Sequence, residues 1–157
     1  MDYRFCSLAL SITLPLLLSC GGGSRSDAPE IEVEGGWARA IPILEGEAGI
    51  GTNSAVYFRL QNRGGIADRL MGGETSAAER VEIHESSMVD DVMRMREVDG
   101  LEVPSHGAVE LKPGGAHIML FGLTRSLLGG EQIDLTLRFQ HSEDLTVTVP
   151  IHAGRGE

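Results

Sequence analysis

Four stretches of this chain alternate apolar and polar residues with a period of two, and no other feature restricts its fold as much. In Ala55–Gln61, Val56, Phe58 and Leu60 share one face while Tyr57, Arg59 and Gln61 take the other. Arg80–Glu85 sets Val81 and Ile83 against Glu82 and His84. Gln132–Phe139 alternates through Ile133, Leu135, Leu137 and Phe139, and Leu145–Ile151 through Leu145, Val147, Val149 and Ile151. Side chains of a strand point to alternate faces, so each stretch is a strand with one buried side. Turn formers separate them: Asn62-Arg63-Gly64-Gly65, Asp99-Gly100, Pro104 to Gly107, Pro113-Gly114-Gly115 and Gly129-Gly130. No sustained helical period competes after residue 30. The pattern predicts an all-β domain of about seven to eight short antiparallel strands, a Greek-key sandwich or barrel. A length of 157 residues suits one such domain.

The first thirty residues read differently. Phe5 to Leu18 is an apolar run preceded by Arg4, and it falls short of the roughly 20 residues that span a bilayer. It reads as a signal-peptide core, with residues 1–19 removed. Leu17-Leu18-Ser19-Cys20-Gly21 resembles the bacterial lipoprotein cleavage box, which implies a lipid on Cys20 and a location in the bacterial envelope, facing the periplasm. The Gly/Ser-rich stretch to residue 30 reads as a tether. The folded domain is expected at 31–153, with a polar tail at 154–157. Cys6 and Cys20 are the two cysteines, so the processed domain has neither a disulfide nor a free thiol.

A formal charge of −10 without a basic cluster argues against a nucleic-acid partner. The residues with distinctive chemistry are histidine and methionine. On strands, His117 and Met119 project from one face while Ile118 and Leu120 take the other. By the same rule His84 lies opposite Val81 and Ile83. This places His117 and Met119 toward the surface or a loop edge, and the turns between Met95 and His117 would return Met95 to His84 at one end or edge of the sandwich. A single methionine in a strand is commonly core filler, but Met95 stands in Met93-Arg94-Met95-Arg96, where little else is apolar. His106, His141 and His152 read as turn or surface histidines. Glu85, Asp90 and Asp91 read as a solvated acidic face.

The spacing of His84, ten residues, Met95, twenty-one residues, His117, one residue and Met119 resembles the motif of the periplasmic copper(I) chaperones of the PCu(A)C type. Gly36-Trp37-Ala38-Arg39-Ala40, Ala55-Val56-Tyr57 with Asn62, and Ala67-Asp68-Arg69-Leu70 are similar to that family's opening strands. Val81 to Glu85, Gly114 to Leu120 and Gly122-Leu123 are similar to its metal-bearing segments. The resemblance covers about Glu34 to Ile151. It implies a cupredoxin-like β-sandwich, no enzymatic activity, and one Cu(I) held by His84, Met95, His117 and Met119. It further implies delivery by ligand exchange to an acceptor such as a cytochrome c oxidase copper subunit or its assembly factor. Met88 and Met93 are possible secondary metal contacts or an entry path. Some members carry a His/Met-rich tail with a second copper site; Ile151 to Glu157 lacks one, so that site is not expected here.

The ligand chemistry points the same way. Thioethers are soft and imidazole is intermediate, a set that favours Cu(I) over Mg²⁺ or Ca²⁺. Zinc prefers cysteine, histidine or carboxylate. A blue-copper carrier needs a cysteine thiolate beside two histidines, and the processed domain has no such cysteine. Two other readings remain open on the sequence: an envelope protein for copper storage or detoxification, and a structural β-sandwich whose His and Met residues are incidental.

Overall fold

The computed structural model describes residues 27–44 and 52–154. The signal peptide expected at 1–19, Cys20 and the first part of the tether lie outside the described residues, as do residues 155–157. The described residues form ten strands and no helix. These are β1 (Ile31–Arg39), β2 (Asn53–Asn62), β3 (Asp68–Glu74), β4 (Ala78–Val89), β5 (Val92–Glu97), β6 (Leu101–Val103), β7 (Ala108–Leu111), β8 (Ala116–Leu123), β9 (Gln132–Phe139) and β10 (Leu145–His152). The all-β class holds. The strand number exceeds the expected seven or eight because β5 is exposed at every position and β6 and β7 span three and four residues. Such segments carry no legible alternation.

The strands follow the order β5-β4-β8-β2-β1-β10-β9-β3-β6, with β7 pairing the second half of β2 beyond β8. All these pairings are antiparallel except one. β1 and β10 run parallel at Ala38↔Ile151 and Arg39↔His152, which joins the first strand to the last. One apolar cluster unites the two halves of this path. Val56, Leu60, Ile83, Ile118 and Leu120 come from one half, and Leu70, Leu135, Leu137 and Val149 from the other. All of these but Leu70 are residues that the period-two pattern assigns to the inner face.

Two local devices set the register near the middle. Gly35 and Gly36 have φ of 62° and 127°, and the β1–β2 ladder shifts between Glu34 and Trp37. This is a β-bulge: one extra residue on β1 re-aims the side chains that follow. It brings Trp37 opposite Tyr57, with ring centroids 4.6 Å apart. At the far end of β2, fully buried Asn62 accepts N–H bonds from Glu30 and Gly64 and donates to the carbonyls of Ile66 and Val103. A buried amide with all these partners ties the start of the domain to β6.

Candidate metal centre

β4 lies between β5 and β8, and its register determines which side chains meet. His84 stands directly opposite His117, and Glu82 opposite Met119. On the other side Ser86 stands opposite Met95, and Met88 opposite Met93. Directly opposed residues of an antiparallel pair project to the same face, with diagonal neighbours also within side-chain reach. His84, Met95, His117 and Met119 therefore share one face, and Met88 and Met93 continue it. The reverse face carries Ile83, Ile118 and Leu120 into the core.

Burial grades the site. His117 is 3% exposed, Met119 is partly buried and Met95 is exposed. The expectation that His117 points to the surface or a loop edge is corrected here. The four residues lie on the face of the sheet beside its edge strand β5, because β4 itself joins β5 to β8. Tyr57 covers His117, its ring centroid 6.2 Å away, and Phe121 flanks His84 at 5.5 Å. A cleft of about 290 Å³ opens among Tyr57, Met93, Met95, Pro113, His117 and Met119. His84 lies outside the lining of that cleft, its ring centroid 6.2 Å from that of His117.

Each histidine has one nitrogen engaged and one free. His117 Nδ1–H donates to the Gly115 carbonyl at 2.9 Å, which leaves the Nε2 lone pair available. His84 Nε2–H donates to the Glu82 carboxylate at 2.9 Å, while His84 Nδ1 is buried without any hydrogen-bond partner. Glu82 is in turn held by Arg80 at 2.5 Å, and the Arg80 guanidinium lies over Phe121. An orphaned buried nitrogen costs about 1–3 kcal/mol unless something satisfies it. Metal-binding histidines present this pattern, with the second nitrogen donating to a carboxylate or carbonyl that fixes tautomer and ring orientation. The donor set therefore fits a soft cation. Among the described residues no three His, Cys, Asp or Glu side chains converge on a metal position.

Glu82 and Tyr57 escaped the sequence reading. Glu82 sits two residues before His84 and so on its face, a signal the alternation carries. Glu85 points to the opposite face and pairs Arg96 at 3.0 Å. Asp90 and Asp91 form the two-residue loop between β4 and β5, both with positive φ. His106, His141 and His152 are exposed and stand apart from the four-residue set. His152 stacks on Trp37, with centroids 5.9 Å apart.

Residues 31–151 match the family model of the LpqE-like lipoproteins. A relative named as a lipoprotein, Lxx21020 of Leifsonia xyli subsp. xyli, is 32% identical over 130 residues, which is 82% of this chain and 72% of the relative. Among solved structures, the copper-bound PCuAC domain from PmoF2 superposes with a TM-score of 0.63 at 25% identity, covering 79% of this chain and 93% of that domain. The CuI form of DR1885 from Deinococcus radiodurans superposes with a TM-score of 0.60 at 25% identity, covering 85% of this chain and 84% of that one. On these grounds the chain belongs to the LpqE-like lipoprotein family, and its β-domain has the PCu(A)C fold.

Proposed function

We propose that this protein is an envelope copper(I) chaperone that binds one Cu(I) through His84, Met95, His117 and Met119 and passes it on by ligand exchange. The observation that carries the reading is the facing pair of His84 and His117. Each has one nitrogen held by an acceptor, the other free, and methionines on the same face. Copper-bound structures among the relatives of the same fold support it.

The chemistry of transfer follows from the graded burial. His117 and His84 give the ion a dry anchor, and Met119 adds a thioether beside them. Met95 stands on the edge strand β5, so an incoming ligand from another protein can replace it first. Thioethers are neutral and do not titrate, and the full set carries no ligand charge, which disfavours capture of divalent ions. The histidines bind as neutral imidazoles, so the ion and a proton compete for the same nitrogens. Lipid on Cys20 would hold the protein at a membrane in the bacterial envelope, facing the periplasm. The acceptor implied by the family resemblance is a cytochrome c oxidase copper subunit or its assembly factor.

The test is an anaerobic Cu(I) titration of the protein against a coloured competing chelator, beside His84→Ala and Met119→Ala. One tight equivalent, weakened strongly by both substitutions, is the expected result. Binding indifferent to both substitutions would remove the four-ligand site. Transfer of the bound ion to an apo-oxidase copper domain then separates a chaperone from a storage protein.

A further inference from the structure

The β4–β5 hairpin continues beyond the histidines, and its apolar residues are sorted by type. Met88, Met93 and Met95 are 63%, 57% and 53% exposed, so they fill no core. The register puts all three on the face that carries His84 and His117. Val89 and Val92, also exposed, pair with each other on the reverse face. A surface made only for apolar contact has no reason to place every thioether on the ligand side.

The three methionines also lie within mutual reach. Met88 and Met93 are directly opposed, a Cβ separation of about 5 Å, and Met95 stands diagonally to Met88 at about 7 Å. Their unbranched side chains, with three rotatable bonds each, allow the sulfurs to converge. Met93 and Met95 line the same cleft as His117 and Met119, so the thioethers run without a break from the hairpin to the buried histidine. Asp90 and Asp91 form the exposed loop next to the Met88–Met93 rung, and their charge favours a cation approaching there.

We propose that Met88 and Met93, sharing Met95, form a second and weaker site for a soft monovalent cation, through which Cu(I) enters and leaves the four-ligand site. This rests on the four-ligand reading and adds the route. An all-thioether set accepts Cu(I) or Ag(I) in preference to harder ions. Lacking imidazole, it holds the ion less firmly than the histidine site and releases it inward when Met95 turns toward His117. No electron changes hands; each step exchanges one neutral ligand for another.

The test titrates the processed protein, residues 20–157 with Cys20→Ser so that no thiol competes, with its methionine methyl groups isotopically labelled, with Ag(I) alone, and compares it with the same protein carrying Met88→Leu/Met93→Leu. Leucine keeps the apolar surface and removes the sulfur. The methyl resonances of Met95 and Met119 are expected to move with the first equivalent, and those of Met88 and Met93 with the second. In the variant the second step disappears. Stopped-flow loading from a Cu(I)–chelator complex is expected to slow about tenfold while the affinity of the first equivalent stays within about twofold, the mark of a kinetic contribution. Methyl groups of Met88 and Met93 that stay still under excess Ag(I) overturn the second site. Loading of the variant at the wild-type rate overturns the entry route. A wild-type protein that takes up no ion overturns the four-ligand reading as well, whereas one tight equivalent with a silent hairpin overturns the hairpin site alone.

Discussion

At the scale of single residues, Glu82 decides how His84 is presented. Its carboxylate accepts the Nε2–H bond that leaves Nδ1 buried and unpartnered. Glu82→Leu removes the acceptor, so the ring is free to flip and donate elsewhere. Loss of such a partner commonly costs metal sites about 10–100-fold in affinity, and that is the expected weakening of Cu(I) binding. Glu82→Gln keeps an acceptor oxygen and is expected to lose less. Nitrogen-15 shifts of the His84 ring provide the check. They should report the Nε2–H tautomer in the wild type and a mixture in the leucine variant, with His117 unchanged. An equal loss in both variants with an unaltered tautomer would make Glu82 merely structural. The sequence held the needed signal, since residues 82 and 84 share a face of the strand. It did not show that the Arg80 guanidinium, which holds Glu82, lies over Phe121, because that contact depends on β4 and β8 becoming neighbours.

At the scale of elements, the hairpin loop and the bulge of β1 carry local strain that can be tested. Asp90 and Asp91 have φ of 51° and 60° in a two-residue loop, a conformation in which Asn-Gly is the preferred pair. Asp91→Gly relieves the left-handed penalty at the cost of some unfolded-state entropy, and a net gain of about 0.5–1 kcal/mol is expected. Amide exchange in β5 should slow accordingly, with the four-ligand Cu(I) affinity unchanged. Faster exchange would show that the aspartates stabilise the loop in another way. The bulge predicts the opposite response. A Cβ at Gly36 would lie 3.2 Å from Phe58 Cβ and 3.3 Å from the Tyr57 carbonyl, at a φ that L-residues rarely adopt. Gly36→Ala is expected to cost about 1–3 kcal/mol, read as a lower urea midpoint. A midpoint equal to the wild type would mean that the bulge can relax. Such devices are hard to see in a sequence. A strand is legible where alternation meets a core, as in β9, whose observed limits Gln132–Phe139 coincide with the alternating stretch. A bulge shifts the alternation by one residue, and an exposed edge strand such as β5 has no inner face to reveal it.

At the scale of the whole molecule, one buried carboxylate ties β3 to the segment after β9 and links the stability of the fold to pH. Asp68 is 2% exposed at the start of β3. Burial alone would push its carboxyl up. Hydrogen bonds from the backbone N–H groups of Arg69, His141 and Ser142 outweigh that and hold it below the ordinary carboxylate range. A carboxyl whose folded pKa lies below its unfolded value stabilises the fold above the unfolded value of about 3.9, and the contribution is lost as pH falls through the folded one. Asp68→Asn should therefore lower the urea midpoint at pH 7, by about 1–3 kcal/mol of stability. The gap from the wild type should close as both are acidified below pH 4. A gap that persists in acid would mean that packing rather than charge is at stake. The sequence exposed the all-β class and the four-residue spacing, because both are periodic or countable along the chain. It hid the parallel β1–β10 junction and the burial of His117, since both depend on which strands become neighbours in space.

The proposed site holds a soft ion by imidazole and thioether together. X-ray absorption of the Cu(I)-loaded protein at the copper edge tests it most directly. The expected result is monovalent copper with both nitrogen and sulfur among its ligands, and loss of sulfur scattering in Met95→Leu/Met119→Leu. A shell of nitrogen and oxygen alone, unchanged in that variant, would contradict it.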